Sequence, residues 1–93
     1  MTMEVSIVIV NYNGKDLLKV ILKSIAKLNY KNYEVIVVDN NSSDKSREFI
    51  KKNYKNVKFV LNKENLGYSG INSALKHCRG KYILFLNNDM EID

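Results

Sequence analysis

Short β-branched runs alternate along this chain with longer segments whose apolar positions recur every three or four residues, the pattern of a parallel sheet built from βαβ units. Val5 to Val10 (Val-Ser-Ile-Val-Ile-Val) predicts a first strand, and its nearly continuous apolarity predicts burial on both faces. From Lys15 to Leu28, the residues Leu17, Leu18, Ile21, Leu22, Ile25 and Leu28 share one helical face and predict the first helix. Glu34 to Asp39 predicts the second strand. A second helix is expected from about Asp44 to Asn53, with Ser43 or Asp44 accepting a first-turn amide and Phe49, Ile50 and Tyr54 facing the core. Val57 to Leu61 predicts a short third strand, and Asn62 to Gly70 a polar loop. Ile71, Ala74, Leu75 and Cys78 then define a third helical face, with Gly80 where a left-handed cap belongs. Lys81 to Leu86 predicts the fourth strand. Right-handed crossovers from strand one to two to three, then a return to the far side of strand one, give the spatial order 3-2-1-4. The expected fold class is therefore α/β: an open parallel sheet with helices on both faces.

Composition narrows this picture without changing it. The 93 residues suit one domain, which should bury about 60 to 65% of its unfolded surface. Apolar residues make up 45% and charged residues 27%, which excludes intrinsic disorder. The lone Cys78 has no disulfide partner within the chain and no neighbour at zinc-ligand spacing, so a reducing, cytoplasmic setting is expected. Met1 to Glu4 lacks the basic and apolar regions of a signal peptide, and no apolar run reaches the ~20 residues needed to span a bilayer. A net charge of +5 favours anionic partners but names none.

In an open parallel sheet, ligands bind beyond the carboxyl ends of the strands, where the strand order reverses. Three polar clusters fall there: Asn11-Tyr12-Asn13-Gly14, Asp39-Asn40-Asn41-Ser42 and Asn87-Asn88-Asp89. They share one rim only if the predicted topology is right. A carboxylate such as Asp39 can accept the ring N–H of a nucleobase through a charge-assisted bond, or can equally serve as a loop or cap residue. Asp89, the carboxylate of the third cluster, is the best candidate ligand for a hard divalent ion. An ordinary turn aspartate is its plain alternative. Asn65, Gly67, Gly70 and Asn72 form a loop and helix start in which the glycines permit close backbone approach, or simply a turn.

Taken together, Val-Ser-Ile-Val-Ile-Val-Asn-Tyr-Asn-Gly, Val-Ile-Val-Val-Asp-Asn-Asn-Ser-Ser-Asp, Asn-Leu-Gly-Tyr-Ser-Gly-Ile-Asn and Tyr-Ile-Leu-Phe-Leu-Asn-Asn-Asp resemble the family 2 glycosyltransferases of the GT-A fold, over essentially the whole chain. The resemblance implies the Rossmann-like, nucleotide-sugar-binding half of that fold and transfer of a sugar with inversion. It places Asn11 and Tyr12 in the nucleoside pocket, Asp39 with its neighbour Asn40 at the base, and Asn65, Gly67 and Asn72 near the donor. Asn87, Asn88 and Asp89 match the DXD motif that binds manganese or magnesium. Asn87 replaces that motif's first aspartate with a poorer, neutral ligand, as in rhamnosyltransferase-like members, and this favours a deoxythymidine or uridine diphosphate donor. The partners implied are a nucleotide-diphosphate sugar and a saccharide or lipid-linked acceptor, as in cell-envelope polysaccharide synthesis, with no nucleic acid.

Inversion needs a general base for the acceptor hydroxyl, and the resemblance puts that carboxylate beyond the metal motif, so no catalytic residue is assigned. The chain is expected to act as a truncated single domain over residues 1–93, without turnover of its own. An apolar fourth strand at the sheet edge would favour a homodimer. Lys15, Lys19, Lys23 and Lys27 recur along the first helix as a solvated face or, more sharply, as a strip touching anionic lipid. The competing functional reading is a non-catalytic nucleotide-binding or regulatory module. A dinucleotide-dependent oxidoreductase is excluded because Asn-Tyr-Asn-Gly stands where G-x-G-x-x-G would, and a P-loop because its Gly-Lys-Ser/Thr is absent.

Overall fold

The computed structural model describes residues 4–29, 32–62 and 71–87. Strand β1 (Val5–Asn11) is buried from Ser6 onward and lies in the middle of the sheet, as its continuous apolarity requires. Helix α1 (Lys15–Ala26) leads to β2 (Tyr33–Asp39), α2 (Ser46–Asn53) to β3 (Lys58–Leu61), and α3 (Ile71–Leu75) to β4 (Tyr82–Asn87). All pairings are parallel and the order is β3-β2-β1-β4, as the crossover argument predicts.

The two faces of β1 and β2 nucleate two cores. Ile7, Ile9, Val35 and Val37 pack under α1 and α2 through Leu18, Ile21, Leu22, Ile25 and Ile50. Val8, Ile36 and Val38 face the other way, against Ala74 of α3. Helices therefore cover both faces. Each fully buried aliphatic side chain contributes on the order of 2 kcal/mol.

Boundaries shift by a few residues from the sequence-based expectation. Helix α1 stops at Ala26, and Leu17 and Leu28, expected on the same helical face, are 47% and 44% exposed at the margin of the buried stripe of Leu18, Ile21, Leu22 and Ile25. Helix α2 starts two residues later than expected, after Lys45 in the left-handed region at φ 67°. Gly80 corrects a second expectation. It lies five residues past the end of α3 and caps nothing; instead a Cβ there would sit 2.4 Å from the backbone nitrogen of Ser6 and 2.6 Å from the carbonyl carbon of Val5. The chain crosses β1 too closely for any side chain.

A buried polar clasp holds that crossing. The Ser6 hydroxyl donates to Glu34 Oε2 at 2.6 Å and accepts the Gly80 amide at 2.7 Å. Glu34 also accepts the Arg79 amide at 2.5 Å and Lys58 Nζ at 2.9 Å. Burial alone would raise the Glu34 pKa, but the Ser6 hydroxyl, the Arg79 amide and Lys58 outweigh it and hold the carboxyl below its usual range. Burial, reinforced by Glu34, raises the pKa of the nearby Cys78 thiol.

Candidate functional site

Register brings the strand ends together. Asn11 is paired with Asp39 across β1 and β2, Asp39 with Leu61 across β2 and β3, and Val10 with Asn87 across β1 and β4. The rim lies at the switch point between β1 and β4, where strand order reverses.

On this rim Asn11, Asp39 and Asn40 are all buried, and their polar groups are joined in one network. Asn11 Nδ2 donates to Asp39 Oδ1 at 2.7 Å, and the Ser42 hydroxyl donates to the same oxygen at 2.6 Å. Asp39 Oδ2 accepts the Ser42 amide at 2.8 Å. The turn after β1 is tied to the turn after β2: Asn13 N–H donates to Ser42 Oγ at 2.9 Å, and Ser43 N–H donates to Asn13 Oδ1 at 2.7 Å. Asn13 and Asn41 hold φ of 49° and 65°, a region asparagine tolerates better than other side chains. Asn40 Oδ1 accepts Asn62 Nδ2 at 2.8 Å, and the Asn62 amide donates to the Asp39 carbonyl at 2.8 Å. No buried side-chain nitrogen or oxygen among the described residues lacks a partner.

Asp44 joins the two helix starts. Its Oδ2 accepts the Lys15 amide at 2.9 Å, while Oδ1 accepts the Ser46 amide at 3.1 Å and the Ser46 hydroxyl. Burial pushes its pKa up, but these donors prevail and hold it low. The capping role expected of Ser43 or Asp44 thus falls to Asp44, which serves α1 as well. A cavity of about 440 Å³ beside it is lined by Asn13, Gly14, Lys15, Asp16, Leu17 and Asp44. A second, more apolar cavity of about 260 Å³ touches Tyr33, Glu34 and Tyr54 at the opposite end of the sheet, away from the rim.

The geometry is that of a polar rim at the switch point of a parallel sheet, and comparison with known proteins gives the family. The model of the family described as "Glycosyl transferase family 2" matches residues 6–93. The chain belongs to glycosyl transferase family 2. A relative in this family, the Bacillus spizizenii poly(ribitol-phosphate) beta-glucosyltransferase, is 38% identical over 94% of this chain and 15% of its own length. An Escherichia coli UDP-Glc:alpha-D-GlcNAc-diphosphoundecaprenol beta-1,3-glucosyltransferase is 39% identical over 91% of this chain and 35% of its own. Among solved family structures, Staphylococcus aureus TarS in complex with UDP-GlcNAc superimposes with a TM-score of 0.84 and 30% identity over 94% of this chain and 27% of that one. A Pyrobaculum calidifontis mannosyltransferase with GDP-Man and Mn2+ gives 0.82 and 25% identity over 96% of this chain and 28% of that one. The chain thus spans about a third or less of the length of these relatives, and its fold is the GT-A type expected.

Of the family 2 positions singled out in the sequence, Asn11, Asp39 and Asn40 meet on the rim, and Tyr12 stands beside them, 49% exposed. Asn87 reaches the rim through the backbone register of β4. Asn72 is exposed on α3, which covers the other face of the sheet. Asn65, Gly67, Asn88 and Asp89 lie outside the described residues. The sequence reading missed Ser42 and Asn62 as individual residues. Asn62 directly follows β3, so the strand-end rule that flagged Asn11 and Asp39 would have found it.

The implied divalent metal finds no complete site among the described residues. No three metal-ligating side chains group there, and the rim carboxylates Asp39 and Asp44 are engaged with amides and hydroxyls.

Proposed function

We propose that this chain supplies the nucleotide-sugar-binding part of an inverting glycosyltransferase whose donor is a uridine diphosphate sugar and whose acceptor is a saccharide or lipid-linked saccharide. The observation that carries the reading is the pairing of Asn11 with Asp39 at the switch point of a family 2 sheet. Uridine is favoured by the UDP-sugar named for the Escherichia coli relative and held by TarS. The lipid-linked acceptor is favoured by the diphosphoundecaprenol in the former name.

In this reading Asn11 and Tyr12 border the nucleoside and Asp39 takes the ring N–H of uracil. Asp39 is 1% exposed, so its contact with a base requires the turn at Asn41 to Ser43 to give way. Asn40 holds the floor of the pocket through Asn62. By the family resemblance Asn65, Gly67 and Asn72, the last of them at the start of α3, belong to the donor site.

Asp44 fills the start of α1, where a helix could otherwise receive a phosphate. Diphosphate charge is therefore met at Asn87, Asn88 and Asp89, with Asp89 as ligand to manganese or magnesium. When bound, that ion would neutralise the charge growing on the departing diphosphate. Among the described rim carboxylates, Asp39 and Asp44 are both engaged as acceptors and neither is free to serve as general base, which supports the expectation that the 93 residues bind donor without turnover.

Calorimetric titration with UDP and GDP, each with and without manganese, tests this. UDP should bind more tightly than GDP. Asp39→Ala should weaken metal-free binding about tenfold or more, while Asp89→Ala should remove only the manganese-dependent gain. If neither substitution changes binding, the site is elsewhere, and sugar transfer by the isolated chain would overturn the assignment of a donor-binding part alone.

A further inference from the structure

Charge is unevenly distributed over this molecule. Helices α1 and α2 cover the same sheet face, joined across their seam where Lys19 Nζ lies 5.3 Å from the centre of the Phe49 ring. With Lys27 and Lys45 at their ends they carry Lys15, Lys19, Lys23, Lys27, Lys45, Arg47, Lys51 and Lys52 against only Asp16 and Glu48. The remaining seven cations and eight acids of the chain are close to balance, so this single layer holds the whole positive excess. All eight cations except Lys15 are exposed.

Helical geometry aims them outward. The buried stripe of α1 is Leu18, Ile21, Leu22 and Ile25; Lys23 and Lys27 lie on the far side, and Lys19, one turn earlier, flanks the seam beside Phe49. Like charges so spaced repel one another; Asp16, 4.0 Å from Lys19, offsets part of that cost, and an opposing negative surface would relieve more of it. Val20, 63% exposed, stands on the same outward side, three residues before Lys23.

We propose that the outer face of α1 and α2 is a docking surface for an anionic lipid bilayer. Lysine side chains reach toward lipid headgroups, and an apolar residue among them can enter the headgroup layer, whereas nucleic acid would make no use of Val20. The contact proposed is peripheral, and no helix among the described residues is long and apolar enough to cross a membrane. Both helices begin at the rim that carries Asn11 and Asp39. A bilayer along their outer face therefore brings headgroups to the edge of the proposed donor site, within reach of a lipid-linked acceptor, and to that extent the inference rests on that site.

Co-sedimentation of the full chain with vesicles tests the surface. The chain should bind vesicles of mixed phosphatidylglycerol and phosphatidylcholine, not phosphatidylcholine alone, and should be released by salt. The double variant Lys19→Glu/Lys23→Glu should lose more than about a hundredfold in affinity, whereas Lys76→Glu/Lys81→Glu, which removes the same charge from outside the two helices, should lose less than about threefold. Val20→Ser should weaken vesicle binding several-fold. Equal losses in the two double variants, no binding by the unaltered chain, or displacement of the vesicles by duplex DNA at matched phosphate would each overturn the proposal. UDP titration of the same proteins separates the two readings. Vesicle binding without UDP binding would sink the donor site and leave the lipid surface standing.

Discussion

Single residues carry the tightest constraints in this molecule, and Gly80 is the sharpest of them. A methyl group there meets backbone atoms of Val5 and Ser6, which cannot rotate away, so the chain would have to lift off β1 and release the Ser6 hydroxyl from the Gly80 amide. Gly80→Ala should cost about 3 kcal/mol, read as a lower urea midpoint with an unchanged slope. A substitution that left the midpoint within about 0.5 kcal/mol would mean the crossing is looser than described. The need for glycine at this position was legible in the sequence, but its cause was not. A glycine after an apolar helical face looks like a cap, whereas the requirement comes from a strand 74 residues earlier. Asn11 and Asp39 were legible by contrast, because polar residues that close two buried β-branched strands leave few places for their side chains except one another. The engagement of Asp39 with Ser42 was not, since it depends on how two turns meet.

At the scale of elements, periodicity located every strand and helix among the described residues, and it misplaced ends where tertiary contacts decide them. Helix α2 starts where Asp44, itself held by the first amide of α1, can accept the Ser46 amide. The connection from α3 to β4 is likewise fixed from outside, by Glu34 of β2, which the alternation pattern shows only as a polar residue at a strand start. Glu34 and Asp44 both have folded-state pKa values below their ordinary ones. Their stabilisation is therefore complete above the ordinary carboxylate range, about pH 4 to 4.5, and is lost as pH falls through the depressed folded values. Urea midpoints measured from pH 7 downward should stay level until about pH 4.5 and then decline. Glu34→Gln should lower the neutral-pH stability by about 2–3 kcal/mol and flatten the acid decline. An acid limb of unchanged steepness in that variant would show that Glu34 does not hold the connection.

For the whole molecule, the telling asymmetry is between the two edges of the sheet. At the β3 edge, Lys58 lies against Glu34 and Phe59 packs on the core beneath the helices. At the other edge β4 pairs, among the described residues, with β1 alone. Tyr82, Ile83, Leu84 and Phe85 are 57%, 40%, 49% and 43% exposed, so apolar side chains point outward on both faces of a strand whose far side pairs with no other described strand. Such an edge can add a strand from a second chain, gaining main-chain hydrogen bonds while covering apolar surface. Lys81, stacked on Tyr82, is a cation next to the strand's start and opposes that pairing. Sedimentation of the 93-residue chain should therefore show a concentration-dependent dimer. Leu84→Lys, a change at an exposed position that should alter stability by no more than about 0.5 kcal/mol, should shift the chain to monomer by placing two cations at the shared edge. The docking surface on α1 and α2 covers a different part of the molecule, so Leu84→Lys should leave vesicle binding per chain unchanged, and a monomer at high concentration in the unaltered protein would rule out pairing through β4.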